Sequence, residues 1–149
     1  MKVLFLDFDG VLNTQDYRDS HGSIGAGIDK SKMPLLKRLI DSTSAKIVLI
    51  TSLREYWDKN PENCDYFGKV INDTFAEYGL EIYDKTPVSE SGMREDDISD
   101  WICENSGIEN YVAIDDGALF ARFLVGHFVQ PKDGLEEEHV EKAIEILNG

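Results

Sequence analysis

Three near-continuous apolar runs constrain the fold of this chain most: KVLFLD (2–7), KIVLIT (46–51) and YVAID (111–115). They are short and rich in β-branched residues, and they lack polar alternation. Strands covered on both faces read this way. Between them lie stretches with helical spacing. SKMPLLKRLIDS (31–42) places Met33, Leu35, Leu36, Leu39 and Ile40 on one face, and DYFGKVINDTFAEYG (65–79) does the same with Phe67, Val70, Ile71, Phe75 and Tyr78. SGMREDDISDWICEN (91–105) offers Ser91 as a helix start signal. LEEEHVEKAIEIL (135–147) opens with acids, which suit the positive end of a helix. A weaker strand, LEIYDK (80–85), and a last one near HFVQ (127–130) complete the pattern. Strands alternating with helices predict an α/β protein, a doubly wound three-layer α/β/α Rossmann-like parallel sheet. At 149 residues the chain suits a single domain spanning 1–149.

One segment breaks the alternation. TQDYRDSHGSIGAGIDK (14–30) is polar and Gly-rich and reads as a mobile, flap-like insertion over a site. Its GSIGAG piece lacks a Lys-Ser/Thr ending and does not directly link a strand to a helix, so no phosphate-loop fingerprint is met.

Charge and composition exclude several classes. No apolar run approaches the roughly 20 residues of a membrane span. MKVLFLDFDG has no small-residue cleavage site, which argues against a signal peptide. Cys64 and Cys103 have no metal-ligand spacing and read as reduced thiols of a cytoplasmic protein. The net charge of −14 opposes strong binding to duplex nucleic acid, which rests on cations that displace counterions from phosphates.

Polar residues gather at the C-terminal ends of the strands, the edge where open α/β sheets bind ligands. The first strand ends in Asp7 and Asp9, the second in Thr51 and Ser52, and the strand at 111–115 in Asp115 and Asp116. Arg94 opens the helix before that last strand. An Asp at a strand end is often only a turn former or a cap. Three such ends bearing oxygen ligands form a pattern. Clustered carboxylates repel unless a cation sits among them, and Mg²⁺ is a hard ion held by carboxylates, waters and substrate phosphate. A hydroxyl of Thr51 or Ser52 can then donate to a phosphoryl oxygen, and Arg94 can neutralise charge. Gly10 permits a sharp turn that brings backbone N–H groups to the anion.

DFDGVLN (7–13) resembles motif I of the haloacid dehalogenase (HAD) superfamily, DxDG[TV], whose members are mostly Mg²⁺-dependent phosphohydrolases. LITS (49–52) resembles motif II. Arg94 stands where motif III usually has Lys, with Lys85 as a substitute, and AIDD (113–116) resembles the acidic motif IV. TSLR (51–54), R-x-x-D-I-x-x-W-I (94–102) and Gly134-Leu135 are similar to a compact subgroup without a full cap domain, the phosphatase-like domain of RNA repair proteins. The resemblance implies that Asp7 is a nucleophile forming an aspartyl-phosphate and Asp9 a general acid and base. It implies Mg²⁺ held by Asp7, the Asp9 carbonyl and Asp115, with Asp116 holding a metal water or replacing Asp115. Thr51, or else Ser52, would be the motif II hydroxyl. A missing cap suits a phosphorylated substrate that is bulky, such as a nucleic-acid end or a phosphoprotein, and permits a nucleotide or small metabolite where another subunit acts as cover.

Two rival functions share this fold. A phospho-receiver domain needs its acceptor Asp at the end of the third strand, where this chain has Lys85-Thr86-Pro87, with Asp84 before them. A non-catalytic phosphate- or Mg²⁺-binding module needs nothing beyond the fold. His21, His127 and His139 show no paired ligand spacing, Trp101 and Cys103 read as structural, and Tyr17, Arg18, Tyr56 and Trp57 lie at the expected rim.

Overall fold

The computed structural model describes residues 1–149. Five parallel strands form one sheet: β1 (Lys2–Leu6), β2 (Lys46–Leu49), β3 (Ile82–Lys85), β4 (Asn110–Ile114) and β5 (Phe128–Val129), in the order β3-β2-β1-β4-β5. The chain runs outward from β1 to β3, then returns to place β4 on the other side of β1. The switch point therefore lies between β1 and β4, where Leu6 pairs with Ile114.

Five helices accompany the sheet: α1 (Gln15–His21), α2 (Met33–Thr43), α3 (Tyr66–Glu77), α4 (Arg94–Glu104) and α5 (Glu137–Asn148). Strand side chains alternate between two cores, as a pleated sheet requires. Leu4, Leu6, Ile47, Leu49, Val112 and Ile114 meet Leu36, Leu39, Ile71, Phe75, Val140 and Ala143 from α2, α3 and α5. Val3, Phe5, Val48, Ile50 and Ala113 meet Ile98 and Trp101 of α4 and Leu124 of a short turn. The first core holds 26 buried residues and the second 8, so the α4 face is the thinner layer. The three-layer α/β/α arrangement read from the strand pattern is the one observed. No helix is long and apolar enough to cross a membrane.

Local differences have local causes. Residues 14–30 contain α1 and a 3₁₀ turn, Ile24–Gly27. Thr14 caps α1 by accepting from the Tyr17 N–H, and the Tyr17 hydroxyl donates to the Ile28 carbonyl. Ala26 and Ile28 are buried in the main core, so this end of the segment is packed down. Helix α4 starts at Arg94, not at Ser91, and Met93 is its N-cap residue without a side-chain bond. Ser91 acts just upstream, accepting from Met93 N–H at 3.0 Å and donating to Asp96 at 2.6 Å. Trp57 is core, at 3% exposure, with its indole N–H donated to Asn72. Trp101 is core as expected, while Cys103 on the same helix is exposed. His139 accepts from the Glu136 N–H at the start of α5, and His127 stacks on Tyr111.

Candidate active site

Sheet register builds the site. Asp7 and Asp115 directly follow the paired residues Leu6 and Ile114, and the Asp7 N–H continues the ladder to the Ile114 carbonyl at 3.1 Å. Both carry the parity of Phe5 and Ala113, so both point to the α4 face. There they meet the first residue of α4. Arg94 Nη1 donates to Asp115 Oδ2 at 2.7 Å and lies 3.3 Å from Asp7 Oδ2. Carboxylate oxygens of Asp7, Asp115 and Asp116 all lie within 4.8 Å of one another. An all-oxygen, acidic donor set of this kind suits a hard divalent cation.

Burial sharpens the electrostatics. Asp7 is 4% exposed. Its burial and the neighbouring Asp115 push its pKa up to about 7, against the pull of Arg94. Burial and Asp115 also raise Asp116 above the ordinary carboxylate range. Burial works against the charge on Arg94, but Asp7 and Asp115 outweigh it and raise its pKa. One guanidinium thus offsets only part of the repulsion among three acids.

Gly10 contributes through close approach. Its φ is +77°, and a Cβ there would lie 2.1 Å from Asp116 Oδ2. Only a glycine lets the loop after β1 take this turn and still admit Asp116. Its N–H does not point to an open anion site, because it donates to Asn13 Oδ1 at 2.9 Å.

The two motif I acids differ. Asp9 is exposed, while Asp7 is sealed. Asp9 is steered by Asn13, whose Nδ2 donates to Asp9 Oδ1 at 3.0 Å and to the Gly27 carbonyl at 2.6 Å. Asn13 Oδ1 also accepts from Arg18 Nη1 at 2.6 Å. Fully buried, Asn13 therefore ties the turn after β1 to the 14–30 segment. It escaped the sequence reading although it closes the motif, because a lone Asn carries no period or charge signal.

Thr51 is 2% exposed and its Oγ1 accepts from the Leu53 N–H at 3.3 Å, capping a 3₁₀ turn over Ser52–Tyr56. Ser52 is exposed and lines a cavity with Asp9. Lys85 sits apart from the acids: its ammonium donates to the Arg54 and Trp57 carbonyls at 3.1 and 2.5 Å. Arg94 is the basic group against the carboxylates.

Arg54 was the other residue missed. It is 6% exposed, and Nη2 pairs with Asp97 at 2.8 Å. Its Nη1 donates to the Ile50 and Thr51 carbonyls and its Nε to the Thr86 carbonyl. Asp97 in turn accepts from the Ser89 N–H at 2.7 Å. The pair fastens the ends of β2 and β3 to the first turn of α4, the turn that carries Arg94. TSLR and the spacing of Arg94 and Asp97 stood out only as family-like pieces, and nothing in the sequence pairs Arg54 with Asp97.

Gly134 and Leu135 close the other side. Their N–H groups donate to the Gly10 and Val11 carbonyls at 2.8 Å each, which fixes the loop after β1 to the start of the last helix. No curated protein and no solved structure matches the chain. A family model described as the HAD domain in Swiss Army Knife RNA repair proteins matches residues 3–140, a span that holds Asp7, Asp9, Thr51, Arg54, Arg94, Asp97, Asp115 and Asp116. The chain belongs to that family, a compact domain of the haloacid dehalogenase superfamily.

Proposed function

We propose that the chain is a Mg²⁺-dependent phosphomonoester hydrolase that works through an aspartyl-phosphate on Asp7, in the cell a phosphatase acting on a nucleotide or nucleic-acid end. The observation that carries this reading is the convergence of Asp7, Asp115 and Asp116 within 4.8 Å at the switch point of the sheet. Family membership supports it, since phosphohydrolase chemistry is typical of the superfamily and the family's description names RNA repair proteins.

Asp7, Asp115 and Asp116 would hold the ion, with the Asp9 carbonyl. Bound there, Mg²⁺ supplies positive charge that keeps the acids ionised and offsets charge on the phosphoryl group. Arg94 adds a second cation, and Thr51 or Ser52 donates a hydroxyl to a phosphoryl oxygen. Asp7 attacks phosphorus, and the bond to the leaving oxygen breaks as Asp9 gives that oxygen its proton. Asp9, now a carboxylate, takes a proton from water. The water oxygen attacks phosphorus and Asp7 departs with its electron pair, releasing phosphate. Rigid placement of Asp7 in the sheet and steering of Asp9 by Asn13 suit these separate roles.

The test is phosphate release from an aryl phosphate, nucleotides and end-phosphorylated oligonucleotides, each with Mg²⁺, with chelator and with Asp7→Asn. Release that needs Mg²⁺ and disappears in Asp7→Asn supports the hydrolase. A folded protein that binds Mg²⁺ and releases nothing favours the non-catalytic module instead.

A further inference from the structure

The acid that protonates a leaving group must sit on the leaving group's side of phosphorus. Resting on the hydrolase reading, this makes the surroundings of Asp9 a statement about substrate. Asp9 lines a cavity of about 370 Å³ whose walls come from two different segments. On one side are Arg18, Gly22, Ser23, Ala26 and Gly27 of the 14–30 segment; on the other are Ser52, Leu53 and Tyr56 of the turn after β2, with Phe67 of α3. Tyr56 and Phe67 lie with ring centroids 5.5 Å apart and form an aromatic wall. Asn13 fixes Asp9 against the first of these walls, since its one amide donates to Asp9 and to the Gly27 carbonyl. A larger hollow, about 610 Å³, lies at the opposite edge of the sheet beside Lys46 and Tyr83 and includes none of the site acids.

We propose that this cavity is the leaving-group pocket and that it takes one nucleoside, with the base against Tyr56 and Phe67 and the ester oxygen at Asp9. Ligand cavities span roughly 300–1,000 Å³, and this one falls at the small end, with room for a single nucleoside. Aromatic side chains bind nucleobases through stacking, which tolerates any base. Arg18 is the one cation in the lining, and the chain carries a net charge of −14. Further phosphates of a polynucleotide thus find no basic track, and recognition ends at the terminal nucleoside.

The experiment compares kcat/KM for adenosine monophosphate, a phosphorylated oligonucleotide ending in the same nucleotide, and glycerol phosphate. It uses the full chain with Mg²⁺, and repeats the series in Tyr56→Ala and Ser23→Trp. Ser23 is exposed, makes no side-chain cap bond and borders the cavity, so Trp there fills the space. The nucleotide is preferred over glycerol phosphate by the wild type, and each variant lowers that ratio by about tenfold. A ratio cancels any loss of folded protein. The oligonucleotide matches the mononucleotide within about threefold, with little dependence on salt. Equal turnover of nucleotide and glycerol phosphate, ratios unmoved in both variants, or a large gain with chain length overturns the pocket while leaving the hydrolase intact. No release from any substrate overturns the hydrolase reading, and the pocket with it.

Discussion

Asp7 and Asp9 are two residues apart and chemically identical, yet their surroundings differ. Asp7 is sealed between Asp115 and Arg94 at the end of β1. Asp9 is exposed and held by the Asn13 amide. Asp7→Asn removes the proposed nucleophile and is expected to lower phosphate release by at least about 10³-fold under single-turnover conditions. Asp9→Asn removes the proposed acid, and its effect on the first step depends on the leaving oxygen. Read as single-turnover release of the leaving alcohol, before water attacks, it is expected to cost about 10²–10⁴-fold for an alkyl phosphate and much less for an aryl phosphate, whose oxygen departs without a proton. Equal losses on both substrates would remove Asp9 from the acid role. The spacing of the two acids was legible in the sequence, because DFDG follows an apolar run. Their difference was not, because it depends on Asn13, on Arg94 and on the parity that Asp115 shares with Asp7.

Elements were legible where hydrophobic period is strong. The strands at 2–7, 46–51 and 111–115 and the helices α2, α3 and α5 appear within a few residues of their sequence bounds. Helix α1 was not legible: it has seven residues, none of them buried, and it is held by a cap and by its neighbours. Gln15 N–H donates to Asp133, and Arg18 reaches Asn13. The joint between β2, β3 and α4 was hidden for a different reason, since it rests on one buried ion pair. Burial pulls the Arg54 pKa below its ordinary value, and the neighbouring Asp97 opposes that pull. Arg54→Leu leaves Asp97 buried and unpaired, and the expected loss of stability is about 3–5 kcal/mol in denaturant titration. Replacing both residues with Leu is expected to recover part of that loss, because no charge is then stranded. Arg54→Lys fails to restore it, since an ammonium cannot reach Asp97 and the Ile50, Thr51 and Thr86 carbonyls together. A double variant no more stable than the single one would show that the carbonyl bonds, not the charge pair, carry the joint.

The whole molecule is acidic, and two of its three buried acids, Asp7 and Asp115, converge with Asp116 on one point, so metal and proton compete for the same place. In the metal-free protein the Asp7 carboxyl titrates at about 7, against an ordinary value of 3.8. Between about pH 4 and pH 7 the folded state therefore binds more protons at Asp7 than the unfolded state does. Stability from this group is full below the lower value and is lost as pH rises through the higher one. A divalent ion acts in the opposite sense, because it binds the ionised carboxylates of the folded state and stabilises it by mass action. Thermal unfolding should then show a clear rise in Tm on adding Mg²⁺ at pH 8 and almost none at pH 5. Asp7→Asn should raise the metal-free Tm at pH 8 and flatten its decline between pH 5 and pH 8, since the strained charge is gone. The same variant should weaken the response to Mg²⁺, which then keeps only two of its three carboxylates, Asp115 and Asp116. Arg94→Met should deepen the decline, because the one cation touching Asp7 and Asp115 is removed. A Mg²⁺ response of equal size at both pH values, or one unchanged by Asp7→Asn, would place the ion away from these three acids.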